Sequence, residues 1–305
     1  MCSLFRRVDD APKAGLELHS ALIVPRTSLL IALAILAFAG NSLLCRMALM
    51  HTTIDPASFT TVRLASGAFM LWLLMRLRGG SGQPRGGDWL SALALFAYAA
   101  GFSFAYVGMS AATGALLLFG AVQATMIGYG VARGERMRPL QVAGFALALA
   151  GLVALMLPGL ATPSLSGSLS MLLAGVAWGV YSLRGKHMQI ARPSDPTQVT
   201  AGNFLRAVPM ALALSLVMHG QQSLDGYGFA LAVASGAVAS GLGYAVWYRV
   251  LPLIQATHAA TVQLSVPVIA ALGGVILLGE PLALSMVLAS VAILGGIAMV
   301  IRSQK

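Results

Sequence analysis

The sequence predicts an all-α membrane protein with ten transmembrane helices in two inverted five-helix repeats. Three observations predict it: the composition, a series of long apolar runs, and an internal duplication. Of the 305 residues, 58% are hydrophobic and only 9% are charged, and the mean hydropathy is +0.84. A soluble domain carries about a quarter of its residues as charged ones. The chain is therefore expected to be an integral membrane protein in contact with the lipid bilayer.

Ten apolar runs follow a polar tail, which we place at residues 1–26. Each run has about 20 residues, the length that one crossing of a bilayer requires. They lie at about 28–49, 57–77, 89–108, 112–132, 139–157, 167–187, 197–218, 227–248, 256–278 and 283–301. Pro158, Gly159 and Pro163 interrupt the chain between the fifth and sixth runs. We place the first repeat at residues 27–158 and the second at 159–305.

Two stretches of the chain occur twice at nearly the same offset. A shift of 145 positions brings the Gly279-Glu280 pair onto Gly134-Glu135, and a shift of 140 brings Asp195-Pro196 onto Asp55-Pro56. Two anchors with similar offsets indicate an internal duplication. Five crossings is an odd number, so the second copy enters the membrane from the opposite side, as in many secondary transporters.

The distribution of the basic residues predicts the orientation of the chain in the membrane. With the amino terminus inside, 16 of the 19 lysines and arginines fall on the cytoplasmic side, as the positive-inside rule requires. Both termini are predicted to be cytoplasmic. The net charge of +10 is explained by these scattered loop residues, so we expect no nucleic-acid partner. Cys2 and Cys45 fall on opposite sides of the membrane and predict no disulfide.

Three segments carry a resemblance to a known family: LLGEPL at 277–282, ARGERM at 132–137 and WGVYSLRGK at 178–186. Together with the ten runs, they make the chain similar to the drug/metabolite transporter superfamily, with two EamA-like halves. The chain departs from the family pattern at Phe38, where tryptophan is common, and at Val122, where the second copy has Pro267. The resemblance is strongest to bacterial exporters of amino acids, including aromatic ones. It implies an inner-membrane protein that works by alternating access.

Catalytic and cofactor sites are not predicted. All nine acidic residues fall in tails, loops or helix ends, although a proton- or sodium-coupled transporter usually carries a buried carboxylate. The sequence has no glycine-rich phosphate loop and no pair of cysteines or histidines at metal spacing. We therefore expect no enzyme, no metal and no cofactor, and a passive or exchange carrier is favoured. The driving force stays open.

Aromatic and polar residues at mid-membrane depth are the candidates for a substrate site. Tyr98, Trp178 and Tyr181 lie too deep for an interfacial belt, so they form either ordinary core packing or the walls of a cavity. His258 and Thr261 share one face of the ninth run with Ser265. Such a face either lines a cavity or makes hydrogen bonds between helices.

Two arginines, Arg63 and Arg206, fall inside apolar runs, where each needs a partner or water. Asn203 lies one turn from Arg206 and aligns with Arg63 under the 140 shift. These arginines either bind a substrate carboxylate or have a structural role, as a hydrogen bond to a helix end or by snorkelling, and the structural role is favoured for Arg63. The predicted substrate site consists of Trp178, Tyr181, Tyr98, His258, Asn203, Arg206, Thr261, Asn41 and Gln123.

The favoured function is a secondary exporter of small metabolites, above all amino acids. The alternatives are a multidrug-type efflux protein and a membrane scaffold that transports nothing. A multidrug-type protein is expected to use a buried glutamate for cationic drugs, and this sequence offers none. Substrate identity and oligomeric state stay open, and a monomer is compatible with the sequence.

Overall fold

The structure is a computed structural model that describes residues 11–79, 86–134, 136–156, 163–191, 195–254 and 262–302. Regular secondary structure in these ranges is helical, without a β-strand. We number the long helical segments α1 to α10. They are α1 (Ala11–His51), α2 (Pro56–Leu77), α3 (Trp89–Tyr106), α4 (Ala111–Ala132), α5 (Pro139–Met156), α6 (Leu165–Ala191), α7 (Pro196–Val217), α8 (Gly226–Val250), α9 (Ser265–Leu278) and α10 (Leu284–Arg302).

Seven of these helices in the described part of the chain are long and apolar enough to cross a membrane, namely α1 to α4 and α6 to α8. This confirms an all-α membrane protein. The apolar parts of α5, α9 and α10 are shorter, at Pro139–Ala154, Ser265–Leu278 and Leu284–Val300. Ten crossings therefore remain a prediction. Helix α1 begins at Ala11, so the predicted polar tail is helical over more than half of its length.

The duplicated motifs begin and end equivalent helices. Asp55 caps α2 by accepting bonds from the amides of Ala57 (2.9 Å) and Ser58 (3.0 Å), and Asp195 caps α7 through the amide of Thr197 (2.9 Å). Each cap precedes a proline in the first turn, where its missing N–H costs nothing. Each Asp-Pro pair is therefore a helix start.

The duplicated glycines stop helices in the same way. Gly134 follows α4 with φ of 91°, and Gly279 follows α9 with φ of 64°. Glycine adopts this left-handed conformation without a steric penalty, which is why it so often follows the last turn of a helix. Glu135, which follows Gly134, lies outside the described residues.

Most of the close helix pairs join one helix from the first half of the chain to one from the second half. Helix α2 packs against α7 and α5 packs against α10, while α3 packs on α6 and α1 packs on α8. Helix α4 contacts both α6 and α9, and α9 also contacts α1. One continuous core of buried apolar residues runs through these contacts, so the two halves share a single interior.

Two ion pairs mark opposite ends of the bundle. Arg46, near the end of α1, contacts Glu280 (Nε to Oε1, 3.0 Å) and donates to the carbonyls of Tyr106 and Val107 at the end of α3. Arg184, near the end of α6, contacts Asp88 at the start of α3 (2.8 Å). Helices α1 and α6 therefore end at opposite ends of α3.

Candidate functional site

Four aromatic rings meet at the centre of the bundle. The ring of Trp178 on α6 lies 4.8 Å from that of Tyr98 on α3, 5.0 Å from that of Tyr244 on α8 and 5.4 Å from that of Tyr181. All four side chains are buried. The ring distances fall in the range in which aromatic pairs attract each other. The cluster therefore joins α3, α6 and α8.

This cluster borders a small central cavity of about 20 Å³. Its lining comes from α1, α3, α4, α6 and α8 and is mostly aromatic. The lining residues are Phe38, Asn41, Ser42, Tyr98, Phe102, Leu118, Phe119, Trp178 and Tyr244. A volume of this size suits about one water molecule, so the helices have closed around the centre.

Asn41 supplies the main polar contact of the lining. Its amide Nδ2 donates to the Tyr98 hydroxyl at 3.3 Å, and its Oδ1 accepts from the Ser235 hydroxyl at 2.6 Å. Ser235 lies in a π-helical segment of α8, Ala234–Leu242. Such wide turns occur frequently at functional sites. The predicted site residues Asn41, Tyr98, Trp178 and Tyr181 are thus brought together.

Arg63 lies directly behind this lining. It is 1% exposed, and its guanidinium donates to the Tyr98 hydroxyl (Nη2, 3.0 Å) and to Ser240 (Nε, 3.3 Å). The guanidinium carbon lies 5.1 Å from the ring centre of Tyr98 and 4.9 Å from that of Phe102. The snorkelling alternative is therefore wrong, because the side chain points into the protein.

Asn203 and Arg206 lie toward the end of the bundle marked by Arg184 and Asp88. Asn203 donates to the Tyr181 hydroxyl (3.4 Å) and accepts from the amide of Asp88 (3.0 Å). The Arg206 guanidinium donates to the carbonyls of Gly86 (3.0 Å) and Gly202 (2.9 Å). Asn203 thus reaches the aromatic cluster through Tyr181, whereas Arg206 bonds to backbone away from the cavity lining.

The remaining predicted site residues do not join the central cavity. Gln123 is buried and lines a separate space of about 10 Å³ between α4, α5 and α10. His258 and Thr261 lie outside the described residues. The polar stripe proposed for the ninth run therefore stays a prediction.

Sequence reasoning missed several lining residues, above all Tyr244, Phe102 and Phe119. A signal for Tyr244 was available, because a shift of 146 positions pairs it with Tyr98, and the Gly-Glu pairs are related by a nearly equal shift of 145. The 140 shift likewise pairs Phe38 with Trp178. Both pairs line the central cavity. Phe102 and Phe119 gave no comparable signal, because each lies in a run of apolar residues.

The described carboxylates lie away from this centre, at helix ends. Partial burial opposes ionisation of Asp88, but hydrogen bonds from Ser91 and Arg184 hold the pKa of its carboxyl below the ordinary value. The amide of Gly228 likewise lowers the pKa of Asp225 at the start of α8. Glu280 accepts from Arg46 and from the amide of Ala111 (2.8 Å). Among the described side chains, the centre thus combines a cation and neutral donors without an acid.

Known proteins share the sequence and the fold. The profile of the EamA-like transporter family matches residues 165–302. An uncharacterized protein of Pseudomonas aeruginosa is 57% identical over 90% of this chain and 94% of its own. An uncharacterized transporter of Archaeoglobus fulgidus is 26% identical over 81% of this chain and 87% of its own. An uncharacterized transporter of Bacillus subtilis, YoaV, is 28% identical over 45% of this chain and 47% of its own.

A solved crystal structure superposes with a TM-score of 0.66 at 21% identity, over 90% of this chain and 97% of that one. At this identity the likeness concerns the fold alone. The family profile covers α6 to α10, and the Pseudomonas relative extends the similarity over nearly the whole chain. The chain belongs to the EamA-like transporter family.

Proposed function

We propose that this protein is a secondary transporter that exports small metabolites, with amino acids, including aromatic ones, as the principal class. The observation that carries the proposal is the central cavity, where aromatic walls meet Asn41 and the Tyr98 hydroxyl. Aromatic walls suit an apolar side chain, and a few fixed polar groups orient the ligand. The membrane-spanning helices and the family membership support transport as the activity.

The closed cavity fits a carrier that works by alternating access. At about 20 Å³, the space has to widen before it holds an amino acid. In transporters built from inverted repeats, the two halves rock around a fixed central site. The lining comes from both halves of the chain: α1, α3 and α4 before the break at 158–166, and α6 and α8 after it. Movement of one half against the other would open the site.

We further propose ten crossings in two inverted repeats, in a bacterial inner membrane, with both termini cytoplasmic. Equivalent caps on α2 and α7, the pairing of α2 with α7 and of α5 with α10, and the opposite directions of α1 and α6 support the inversion. The 16 basic residues on one side support the orientation. A reporter fused after Lys305 tests it, because an external carboxyl terminus contradicts this topology.

Efflux from reconstituted liposomes tests the activity. Vesicles that contain the purified protein are loaded with labelled amino acids and other small metabolites, and release is compared with protein-free vesicles. We expect protein-dependent release of apolar and aromatic amino acids without an imposed ion gradient. Release of cationic drugs alone would point to a multidrug-type protein, and release of none of the loaded compounds would favour a scaffold.

A further inference from the structure

The buried charge of Arg63 has no anionic partner among the described residues. The ion pairs in this part of the chain join Arg46 to Glu280 and Arg184 to Asp88. Arg63 uses its Nε and Nη2 for the neutral hydroxyls of Ser240 and Tyr98, and its Nη1 has no hydrogen-bond partner. A charge buried away from water is costly unless an opposite charge or strong hydrogen bonds compensate it. The site therefore favours an anion.

Tyr98 connects this charge to the cavity. Its hydroxyl oxygen accepts one bond from Arg63 and one from Asn41, and a phenol oxygen has two acceptor sites. The hydroxyl proton thus remains for donation, and the bonds from Arg63 and Asn41 polarise it further. The Tyr244 side chain also lines this cavity, with its ring 5.0 Å from that of Trp178. The Tyr98 hydroxyl is therefore placed to donate to an acceptor in the cavity.

The rest of the lining favours a ligand whose acceptor group is attached to an apolar body. Phe38, Phe119 and Trp178 surround the cavity, and Leu118 completes the wall. The described lining has no carboxylate for an ammonium group, and the Asn41 oxygen is already engaged by Ser235. A ligand cation at this place would also be repelled by Arg63, which lies against the rings of Tyr98 and Phe102.

We propose that the cavity recognises its substrate by a carboxylate, held by Tyr98 and Asn41 with Arg63 behind them as counter-ion, and that an ammonium group is not required. Apolar and aromatic monocarboxylates then bind as well as the corresponding amino acids. This inference rests on the proposed function, because it assigns the substrate class to the same cavity. Arg63 acts here as a positioning residue through Tyr98.

Four ligands with one phenyl ring and different polar groups test the inference. They are 3-phenylpropionate, phenylalanine, 3-phenylpropionamide and 2-phenylethylamine, each titrated calorimetrically into the full-length protein in detergent at about pH 8. A charge-assisted hydrogen bond contributes roughly 10- to 100-fold in affinity. We expect the carboxylate and the amino acid to bind at least about tenfold more tightly than the neutral amide, and the amine to bind most weakly.

Substitutions test which side chains cause the preference for a carboxylate over an amide. Arg63→Gln should bring the affinity ratio of carboxylate to amide close to one, whereas Arg63→Lys should keep most of it. If Arg63→Gln does not fold, Asn41→Asp serves instead, because a carboxylate beside Tyr98 should pair with Arg63 and repel the ligand. Tyr98→Phe should reduce the ratio, and Tyr106→Phe is the matched control on α3. The Tyr106 hydroxyl donates to the carbonyl of Ala111 and does not line the cavity.

The outcomes separate this inference from the proposed function. Release of phenylalanine from liposomes, together with equal binding of carboxylate and amide, overturns the inference but leaves the proposed transport function intact. Tight carboxylate binding without amino-acid release supports the inference and contradicts the proposed substrate class. Tighter binding of the amine, an affinity ratio unchanged in Arg63→Gln or Asn41→Asp, or binding of none of the four ligands also overturns the inference.

Discussion

Trp178 is the residue whose ring contacts the most members of the central cluster, since it touches Tyr98, Tyr181 and Tyr244. It also lines the cavity. Trp178→Ala should lower the rate of amino-acid efflux at least about tenfold, because truncation of a buried tryptophan at the centre of a binding site costs about 2 kcal/mol of binding. Proteoliposome efflux measures the rate, and detergent melting measures how much stability is lost with it.

Trp72→Ala is the matched control for this variant. Trp72 is 39% exposed on α2, and its ring contacts Phe69 and Arg76 rather than the central cluster, so its loss should leave efflux close to that of the wild type. Equal efflux from Trp178→Ala and the wild type would show that the substrate takes another path.

For single residues, the sequence predicted a position along each apolar run but not the direction in which the side chain points. Position within an apolar run places Tyr98, Trp178 and Asn41 near the middle of the membrane, and the structure brings these three together. Gln123 and Arg206 lie at comparable positions in their runs, yet they turn toward another cavity and toward backbone carbonyls. Which side of a helix meets the centre depends on packing between helices, and uniformly apolar runs carry no periodic signal for it.

At the scale of elements, the close contact between α2 and α8 sets the position of Arg63. A Cβ atom on Gly236 would collide with the Arg63 carbonyl and the Ser66 hydroxyl. Gly236→Ala should therefore push α8 away from α2, with an overpacking cost of about 1–3 kcal/mol. We expect a lower melting temperature and weaker carboxylate binding, measured by thermal unfolding and calorimetry.

Gly295→Ala on α10 is the control, because nothing lies within 4 Å of its added Cβ. Alanine in an open helical position is neutral or slightly stabilising. If both alanine variants melt and bind like the wild type, the α2–α8 contact tolerates a side chain and does not set the position of Arg63.

Glu280 ties three helices together, and we expect it to have a structural role rather than to carry protons. It contacts Arg46 on α1, accepts from Ala111 at the start of α4, and follows α9. Glu280→Gln should lower stability by roughly 1–3 kcal/mol, because it removes the charge of a largely buried ion pair. The dependence of efflux on pH should stay as in the wild type.

Asp225→Asn at the start of α8 provides the comparison, since asparagine caps helices about as well as aspartate. This variant should melt close to the wild type. Loss of proton-driven transport in Glu280→Gln, with an unchanged melting temperature, would instead identify Glu280 as a coupling residue.

For the whole molecule, hydropathy predicted where several of the apolar helices lie along the chain but not the helical length of every run. Helices α2, α4 and α7 begin and end within a residue or two of the predicted runs. The ninth run was expected from residue 256, and residues 255–261 lie outside the described residues. A turn at Leu264 separates the helical Val262 and Gln263 from α9, which begins at Ser265, two residues before Pro267. Proline removes an amide donor and restricts the residue before it. A helix interrupted near Pro267 is consistent with this chemistry.

The central claim is that one cavity between the two halves opens alternately to the two sides of the membrane. Alkylation of a single cysteine tests it directly, with Ser42→Cys in the cavity lining and both native cysteines, Cys2 and Cys45, replaced by serine. Proteoliposomes of known orientation are treated with a membrane-impermeant maleimide from either side, with and without a transported amino acid. We predict labelling from both sides and protection by the substrate. Labelling from one side only, unaffected by the substrate, would contradict the claim.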